Sequence, residues 1–268
     1  MNELVITKAH ELIISILDGI DNDLLPEELK TRPKNQADRL RKMLFEKKLT
    51  RIISKRFQKQ KGKIAQWLSM RYPDRSKAKK PPIVLPDDLF DDEESDAEIQ
   101  RLFTSAYMNS INQFNVSSLF SLDYSVFNER AFSWAHKNTL ELIKNIDSTT
   151  RDTIRAAISS FIETPGMTIG NVVNQLPFDT ARAFRVARTE ITRTYSQGEL
   201  QAGIETKKEY PDVRVTKTWL AALNERTCPE CGALNGVEVD IDENFPGGYE
   251  APPAHPNCNC DLSVRTRI

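Results

Sequence analysis

The sequence predicts an α+β protein that is mostly α-helical, with an elongated helical N-terminal region and a helical C-terminal domain ending in a small β-sheet. Three observations carry this reading. Apolar residues recur at helical spacing from Val5 to about Ile204. After Pro211 the period changes to two. All four cysteines lie beyond residue 227, in two pairs.

Val5, Ala9, Leu12, Ile13, Ile16, Leu17 and Ile20 mark an amphipathic first helix that Gly19 and Asp21-Asn22-Asp23 loosen or end. A second helix is expected from about Gln36 to Met70, with Leu40, Leu44, Leu49, Ile52, Ile53, Phe57, Ile64 and Leu68 on its apolar stripe. Tyr72 to Pro86 reads as a linker, because Pro81-Pro82 forbids helix and favours extended backbone. A third helix carries Ile99, Leu102, Phe103, Ala106 and Phe114. Two more fit Val126–Asn145 and Thr150–Glu163, and Thr164-Pro165-Gly166 ends the pattern. A short helix spans about Ile169 to Leu176, and Asp179 is placed to cap a long helix reaching about Ile204. Val213/Val215/Lys217/Trp219, Val237/Val239/Ile241 and Cys260/Leu262/Val264 then alternate as three short strands.

The net charge of −1 conceals segregation. Residues 30–80 carry 19 Lys or Arg against Asp38, Glu46 and Asp74, whereas residues 87–98 carry eight acids and no base. On the second helix Arg41, Lys47, Lys48, Arg51, Lys55 and Lys59 form a basic face. Such a face can neutralise phosphates of double-stranded DNA without reading sequence, or dock on an acidic protein surface, including this chain's own acidic block. Trp67, Phe57 and Tyr72 could add stacking on bases. A solvated face with no partner is the plain alternative. The acids at 93, 94 and 96 also suit a first helical turn. No run approaches the roughly 18 apolar residues of a membrane span, and no signal peptide is visible.

The cysteines stand as Cys228-Pro-Glu-Cys231 and His255-Pro-Asn-Cys258-Asn-Cys260. With no export signal, a reducing compartment is expected, which favours thiolates on a metal over disulfides. Cys228 and Cys231 can bind from one turn; Cys258, Cys260 and His255 supply the rest. The sphere is either four thiolates or three thiolates and one imidazole. Either set is closed, leaving no position for a water nucleophile, so a structural zinc is expected to staple the sheet. Four reduced cysteines in a small core, or a disulfide pair, are the competing readings.

Three segments in order resemble the phage Mu F-like minor head proteins, the head morphogenesis family. They are Ala187-Arg188-Thr189-Glu190 continuing to Tyr195 and Gly198; Lys217-Thr218-Trp219-Leu220 through Arg226-Thr227-Cys228-Pro229-Glu230-Cys231 to Leu234-Asn235-Gly236; and Pro252-Pro253-Ala254-His255-Pro256-Asn257-Cys258-Asn259-Cys260. The resemblance covers about Ser148 to Val264. Asn224 stands where the family usually has Asp, Asn259 where it usually has Arg, and many relatives lack the Cys-x-x-Cys, so a metal role here rests on this chain's own residues.

The resemblance implies a minor head protein of a tailed phage or prophage, without enzymatic activity, that aids procapsid assembly, DNA packaging or delivery. Portal, capsid or scaffolding protein would be its partners. It would reside in the virion head interior or at the portal vertex, and in the host cytoplasm during assembly. The residues are expected to divide as a basic helical region (1–80), a Pro-containing acidic linker (81–98), a helical connector (99–147) and the Mu F-like domain (148–268). Arg188 and Glu190 are expected in a partly buried ion-pair network, with Arg226 bracing the loop before the knuckle. Trp219 reads as core. The alternative is a zinc-containing nuclease or toxin-type hydrolase. It lacks the His-x-Glu or Cys-x-Glu element and the Pro-Cys-x-x-Cys order of the zinc deaminases, and His10 and His136 sit at ordinary helical positions. A DNA-binding transcription factor lacks a recognition helix beside the knuckle.

Overall fold

The computed structural model describes residues 36–73, 83–117, 122, 124–164, 166–223 and 227–267. The predicted first helix, the Pro81-Pro82 centre of the linker, and Asn224 and Arg226 lie outside the described residues. Lys42–Ile268 form one compact unit, and Met1–Arg41 a separate one of which only residues 36–41 are described.

Helix α1, Gln36–Arg71, buries Leu49, Ile52, Ile53, Phe57, Ile64 and Leu68. These residues do not stand apart in an elongated region. They share a core with Leu89, Phe90, Ile99, Phe103, Ile154, Ile158, Phe161, Ala183, Ala187 and Ile191, because a stripe of six large apolar side chains needs a cover. Phe57 is wholly buried, its ring centroid 5.3 Å from that of Phe178, so it is not available to stack on bases. Trp67, Tyr72 and Phe161 pack edge to face in series.

The acidic block is only partly a linker. After a 3-10 turn at Asp87–Leu89, helix α2 runs Glu93–Ser117. Asp92 sets its start: its carboxylate accepts from Ser95 Oγ at 2.7 Å, and Glu93, Glu94 and Asp96 occupy the first turn, where the helix dipole favours anions. The two helices predicted at 126–145 and 150–163 are one, α3, Tyr124–Glu163. Ser148-Thr149-Thr150 contains no glycine or proline. The Thr149 and Thr150 hydroxyls donate to the carbonyls of Asn145 and Ile146 (2.9 and 2.7 Å) and satisfy themselves within the helix.

Thr168 and Asn171 form a capping box for α4, Ile169–Gln175. Asp179 caps α5, Thr180–Glu209, by accepting from Arg182 N at 2.7 Å. This helix runs five residues beyond Ile204, to Glu209, and Lys207 and Lys208 in its last turn suit the negative end of the dipole. The sheet follows: β1 Arg214–Leu220, the short helix α6 Pro229–Leu234, β2 Glu238–Asp240 and β3 Asp261–Arg267. Strand order is β2-β1-β3, all antiparallel, with Trp219 opposite Leu262 and Lys217 opposite Val239. A second core joins α2, α3, α5 and this sheet, and it includes Cys231, Cys258 and Cys260.

Two α5 glycines permit the closest approaches. A Cβ on Gly198 would lie 2.6 Å from the Tyr107 carbonyl oxygen of α2, and one on Gly203 would lie 2.7 Å from Ile241 Cδ1 and Val264 Cγ1; Gly62 on α1 faces open space. Alanine gains about 1 kcal/mol of helix propensity at any of the three. Gly62→Ala is therefore expected to stabilise by about 0.5–1 kcal/mol in urea titrations. Gly198→Ala is expected to destabilise by about 1–3 kcal/mol because it meets backbone. Gly203→Ala should fall between them, since side-chain ends can shift.

Candidate metal centre and charged surfaces

The Cys-Pro-Glu-Cys knuckle is the first turn of α6. Cys228 is its N-cap and Pro229 its first residue, and the Cys228 sulfur accepts from Cys231 N at 3.3 Å. This backbone N–H is the main reason the Cys228 thiol is drawn below its ordinary value. Asn235 and Gly236 then turn the chain back. Asn235 Oδ1 accepts from Ala221 N at 3.0 Å, Gly236 N donates to the Trp219 carbonyl at 2.8 Å, and Gly236 adopts φ +80°. Trp219 is wholly buried, as expected, with its ring centroid 5.3 Å from that of Phe245.

The second half of the cluster comes from the loop before β3. His255 Nε2 lies 3.0 Å from Cys228 Sγ and 3.1 Å from Cys231 Sγ, and Cys231 Sγ lies 3.7 Å from Cys258 Sγ. The donors form two triads sharing Cys231: Cys228–Cys231–His255 and Cys231–Cys258–Cys260, each within 4.8 Å. The sulfurs of a tetrahedral thiolate site with metal–sulfur bonds of about 2.3 Å stand roughly 3.8 Å apart, so the 3.7 Å pair fits such an edge. His255 Nδ1 is 2.9 Å from the Pro256 carbonyl oxygen; a carbonyl only accepts, so the proton sits on Nδ1 and Nε2 offers its lone pair to the sulfurs' side of the site. This Cys/His cluster can bind a metal.

The thiols are coupled. The Cys260 thiol donates a hydrogen bond to Cys258 and draws it down to about 5, while the same bond pushes Cys260 up. Burial pushes Cys231 up to about 12. A thiolate beside buried thiols is the charge arrangement a soft cation relieves.

Helix α5 grips the same loop from behind. Thr189 Oγ1 accepts from Asn257 N at 2.8 Å, Thr192 Oγ1 donates to the Cys258 carbonyl at 3.3 Å, and Arg188 Nη1 donates to Asn257 Oδ1 at 3.4 Å. Arg188 and Glu190 face different neighbours. Arg188 Nε lies 3.9 Å from buried Glu46 of α1, whereas Glu190 accepts from Arg193 Nε at 3.2 Å and from Asn138 of α3 at 3.3 Å. Glu190 also lines a groove of about 530 Å³ between α3 and α5 that reaches Pro256.

On α1, Lys47, Lys48, Arg51 and Lys55 are exposed and have no carboxylate partner among the described residues, and Arg41 is half-exposed. Lys59 differs: its ammonium lies 3.0 Å from both Asp92 and Glu94. Lys63 donates to the carbonyls of Asp88 and Asp91, each at 2.8 Å. Arg56, almost wholly buried, pairs with Asp96, donates to the Phe90 carbonyl at 2.8 Å and lies 3.4 Å from Asp147. Arg56 and Lys63 carry these internal pairings, although sequence periodicity put them in an undivided basic segment. For Arg56 and Lys63 the signal available was the acidic block that follows at 87–98.

Residues 137–263 match the family described as Phage Mu protein F like protein. These residues are similar to that family. The match starts inside α3, before the expected boundary at 148, and spans every candidate metal ligand. Minor head protein GP7 of Bacillus phage SPP1 is 31% identical over 101 residues, 35% of this chain and 32% of that relative. The NAD(+)--arginine ADP-ribosyltransferase EFV of Enterococcus faecalis is 42% identical over 64 residues, 24% of this chain and 13% of that relative. The matched stretches thus span about a third or less of these curated relatives. No solved structure matches. No helix among the described residues is long and apolar enough to cross a membrane.

Burial is the main cause holding the Glu190 carboxyl above its ordinary 4.5, against Arg193 and Asn138, which lower it. Its contribution to stability is fully present below 4.5 and is lost as pH rises through the folded value. Glu190→Gln keeps an oxygen for Asn138 and removes the buried charge. Its stability relative to the natural chain is expected to rise from pH 5 to pH 7, leaving the variant at least as stable at pH 7. Urea midpoints at the two pH values measure this, and a relative loss at pH 7 contradicts it.

Proposed function

We propose that this chain is a minor head protein of a tailed phage or prophage, acting in the virion head interior or at the portal vertex in head assembly, DNA packaging or DNA delivery. The observation that carries this reading is the match of residues 137–263 to the Mu F-like family, with the whole Cys/His cluster inside it. The likeness to GP7, a minor head protein, agrees with it. Portal, capsid or scaffolding protein is the expected partner, and assembly in the host cytoplasm is part of the same proposal. The Mu F-like domain, 148–268, is the docking module in this proposal, and the 1–80 region, the 81–98 linker and the 99–147 connector precede it along the chain.

In this reading the domain is not catalytic. Zinc fits the donor set, which is soft, compact and mostly buried. Cys228, Cys231, His255 and Cys258 would hold it, with Cys260 hydrogen-bonded to Cys258. The ion would supply a structural clamp between α6 and the loop before β3; Thr189 and Thr192 position that loop, and Trp219 and Phe245 exclude water from its inner side. The hydrolase alternative has less support, because a closed sphere has no site for an attacking water. The ADP-ribosyltransferase shares only a short segment, so its activity stays with that protein.

Purified protein is expected to hold about one zinc per chain, and Cys231→Ser to lose it. Cys260→Ser should retain the ion. Chelation should lower the urea midpoint of the natural chain, since a ligand bound only by the folded state stabilises it by mass action. Elemental analysis beside urea titration measures both; a fully folded, metal-free chain rules out the clamp. For function, portal protein co-expressed with the chain is expected to co-purify at low salt. Failure to associate, together with particles lacking the protein, removes the head assignment.

Lys47, Lys48, Arg51 and Lys55 form the proposed binding face for DNA or another polyanion. Lys59, placed with them by sequence, is engaged by Asp92 and Glu94. Replacing Lys47, Lys48, Arg51 and Lys55 with Gln should weaken DNA binding uniformly across sequences. It should also flatten the salt dependence by roughly one unit of log–log slope for each phosphate no longer neutralised. Unchanged binding and slope would assign the stripe to solvent.

A further inference from the structure

Lys42 is a lysine with only 6% exposure, and both acceptors of its ammonium lie at the metal loop. Its Nζ donates to the Cys260 carbonyl at 3.1 Å and to Asp261 Oδ1 at 2.5 Å. Glu46, one turn along α1, is 5% exposed and lies beside Arg188 of α5, which in turn reaches Asn257 of the same loop. Residues 257–261 are therefore held on two sides by helices: Thr189 and Thr192 of α5 take Asn257 N and the Cys258 carbonyl, and Lys42 of α1 takes the Cys260 carbonyl and Asp261. A buried ammonium is costly unless its acceptors are in place. Those acceptors are in place only while the Cys258-Asn259-Cys260 backbone keeps its path, and the cysteine side chains of that backbone are the candidate ligands.

We propose that Lys42 is a positioning residue of the metal centre, one that couples metal loading to the seating of residues 42–55 of α1 on the Mu F-like domain. This rests on the metal reading above. The ion fixes the loop from the side-chain face, and Lys42 fixes it from the backbone face. By linkage, whatever factor the seated helix adds to metal affinity, the metal adds to the seating of the helix. The exposed Lys47, Lys48, Arg51 and Lys55 follow Lys42 on the same helix, so the coupling carries the state of the cluster to the charged surface.

The test uses the full chain, Zn²⁺ as probe, and two readouts: affinity by competition with a chromophoric chelator, and hydrogen exchange of the amides of residues 42–55 with and without metal. Lys42→Met is expected to bind Zn²⁺ about 10–100-fold more weakly than the natural chain, the usual cost of losing a partner that orients a ligand. Lys137→Met, at an exposed lysine of α3, should bind as the natural chain does. Chelation should speed exchange over 42–55 in the natural chain and change it little in Lys42→Met. Asp261→Asn removes the ionic partner while keeping the lysine, and reads the same coupling should Lys42→Met fail to fold. If the natural chain binds one ion and both variants match Lys137→Met in affinity and exchange, the coupling is wrong and the metal site stands. If the natural chain binds no ion, the metal reading itself falls.

Discussion

Most of the C-terminal half is organised by one constraint: three buried sulfurs, a fourth beside them and an imidazole share a space a few ångströms across. Neutral thiols would satisfy that space poorly, because S–H is a weak donor, and full ionisation without a cation would set like charges against one another in a low dielectric. A soft cation would resolve both problems. The surrounding protein is built as a support for that arrangement. A helix N-terminus presents two sulfurs, a turn presents the others and the imidazole, and the Trp219–Phe245 pair shares the same core. Long helix α5 lies behind, and its small and hydroxylated residues let the sheet and loop approach closely.

The second constraint is electrostatic and joins segments that look like opposite tails in the sequence. The basic helix and the acidic block neutralise each other in part through Arg56, Lys59 and Lys63. The pairings differ in character. Lys59 is half in water and contributes little, whereas Arg56 is buried among a carbonyl and two carboxylates, and losing it would leave buried charge uncompensated. Lys47, Lys48, Arg51 and Lys55 have no carboxylate partner among the described residues and carry the face proposed for an external polyanion.

Much of this was legible in the residues. Helix α1 begins at Gln36, as periodicity indicated, and ends one residue beyond Met70. Asp179 caps α5, and the three strands appear where the period changes to two. The misses share a cause. No break falls between residues 145 and 150, because Thr149 and Thr150 satisfy their hydroxyls on carbonyls one turn back and let α3 continue. Within the expected elongated N-terminal region, the described α1 instead buries its apolar stripe in a core shared with residues 89–191, because that stripe outweighs the solvation of the other face. Lys42, Glu46 and Arg56 read as members of a solvent-facing charge run, because their partners lie 34 to 219 positions away.

The sequence by itself determined the helical content, the position of the small sheet, the Asp179 cap of α5 and the identity of the five candidate ligands. Each of these follows from periodicity or spacing within a few turns of chain, where the backbone leaves few alternatives. Only the tertiary structure decided that Cys231 joins both ligand triads, that Arg188 and Glu190 face different helices, and that Lys42 meets the backbone of the cysteine loop. Those arrangements depend on which surfaces pack together, and packing brings side by side residues whose separation along the chain carries no local signal.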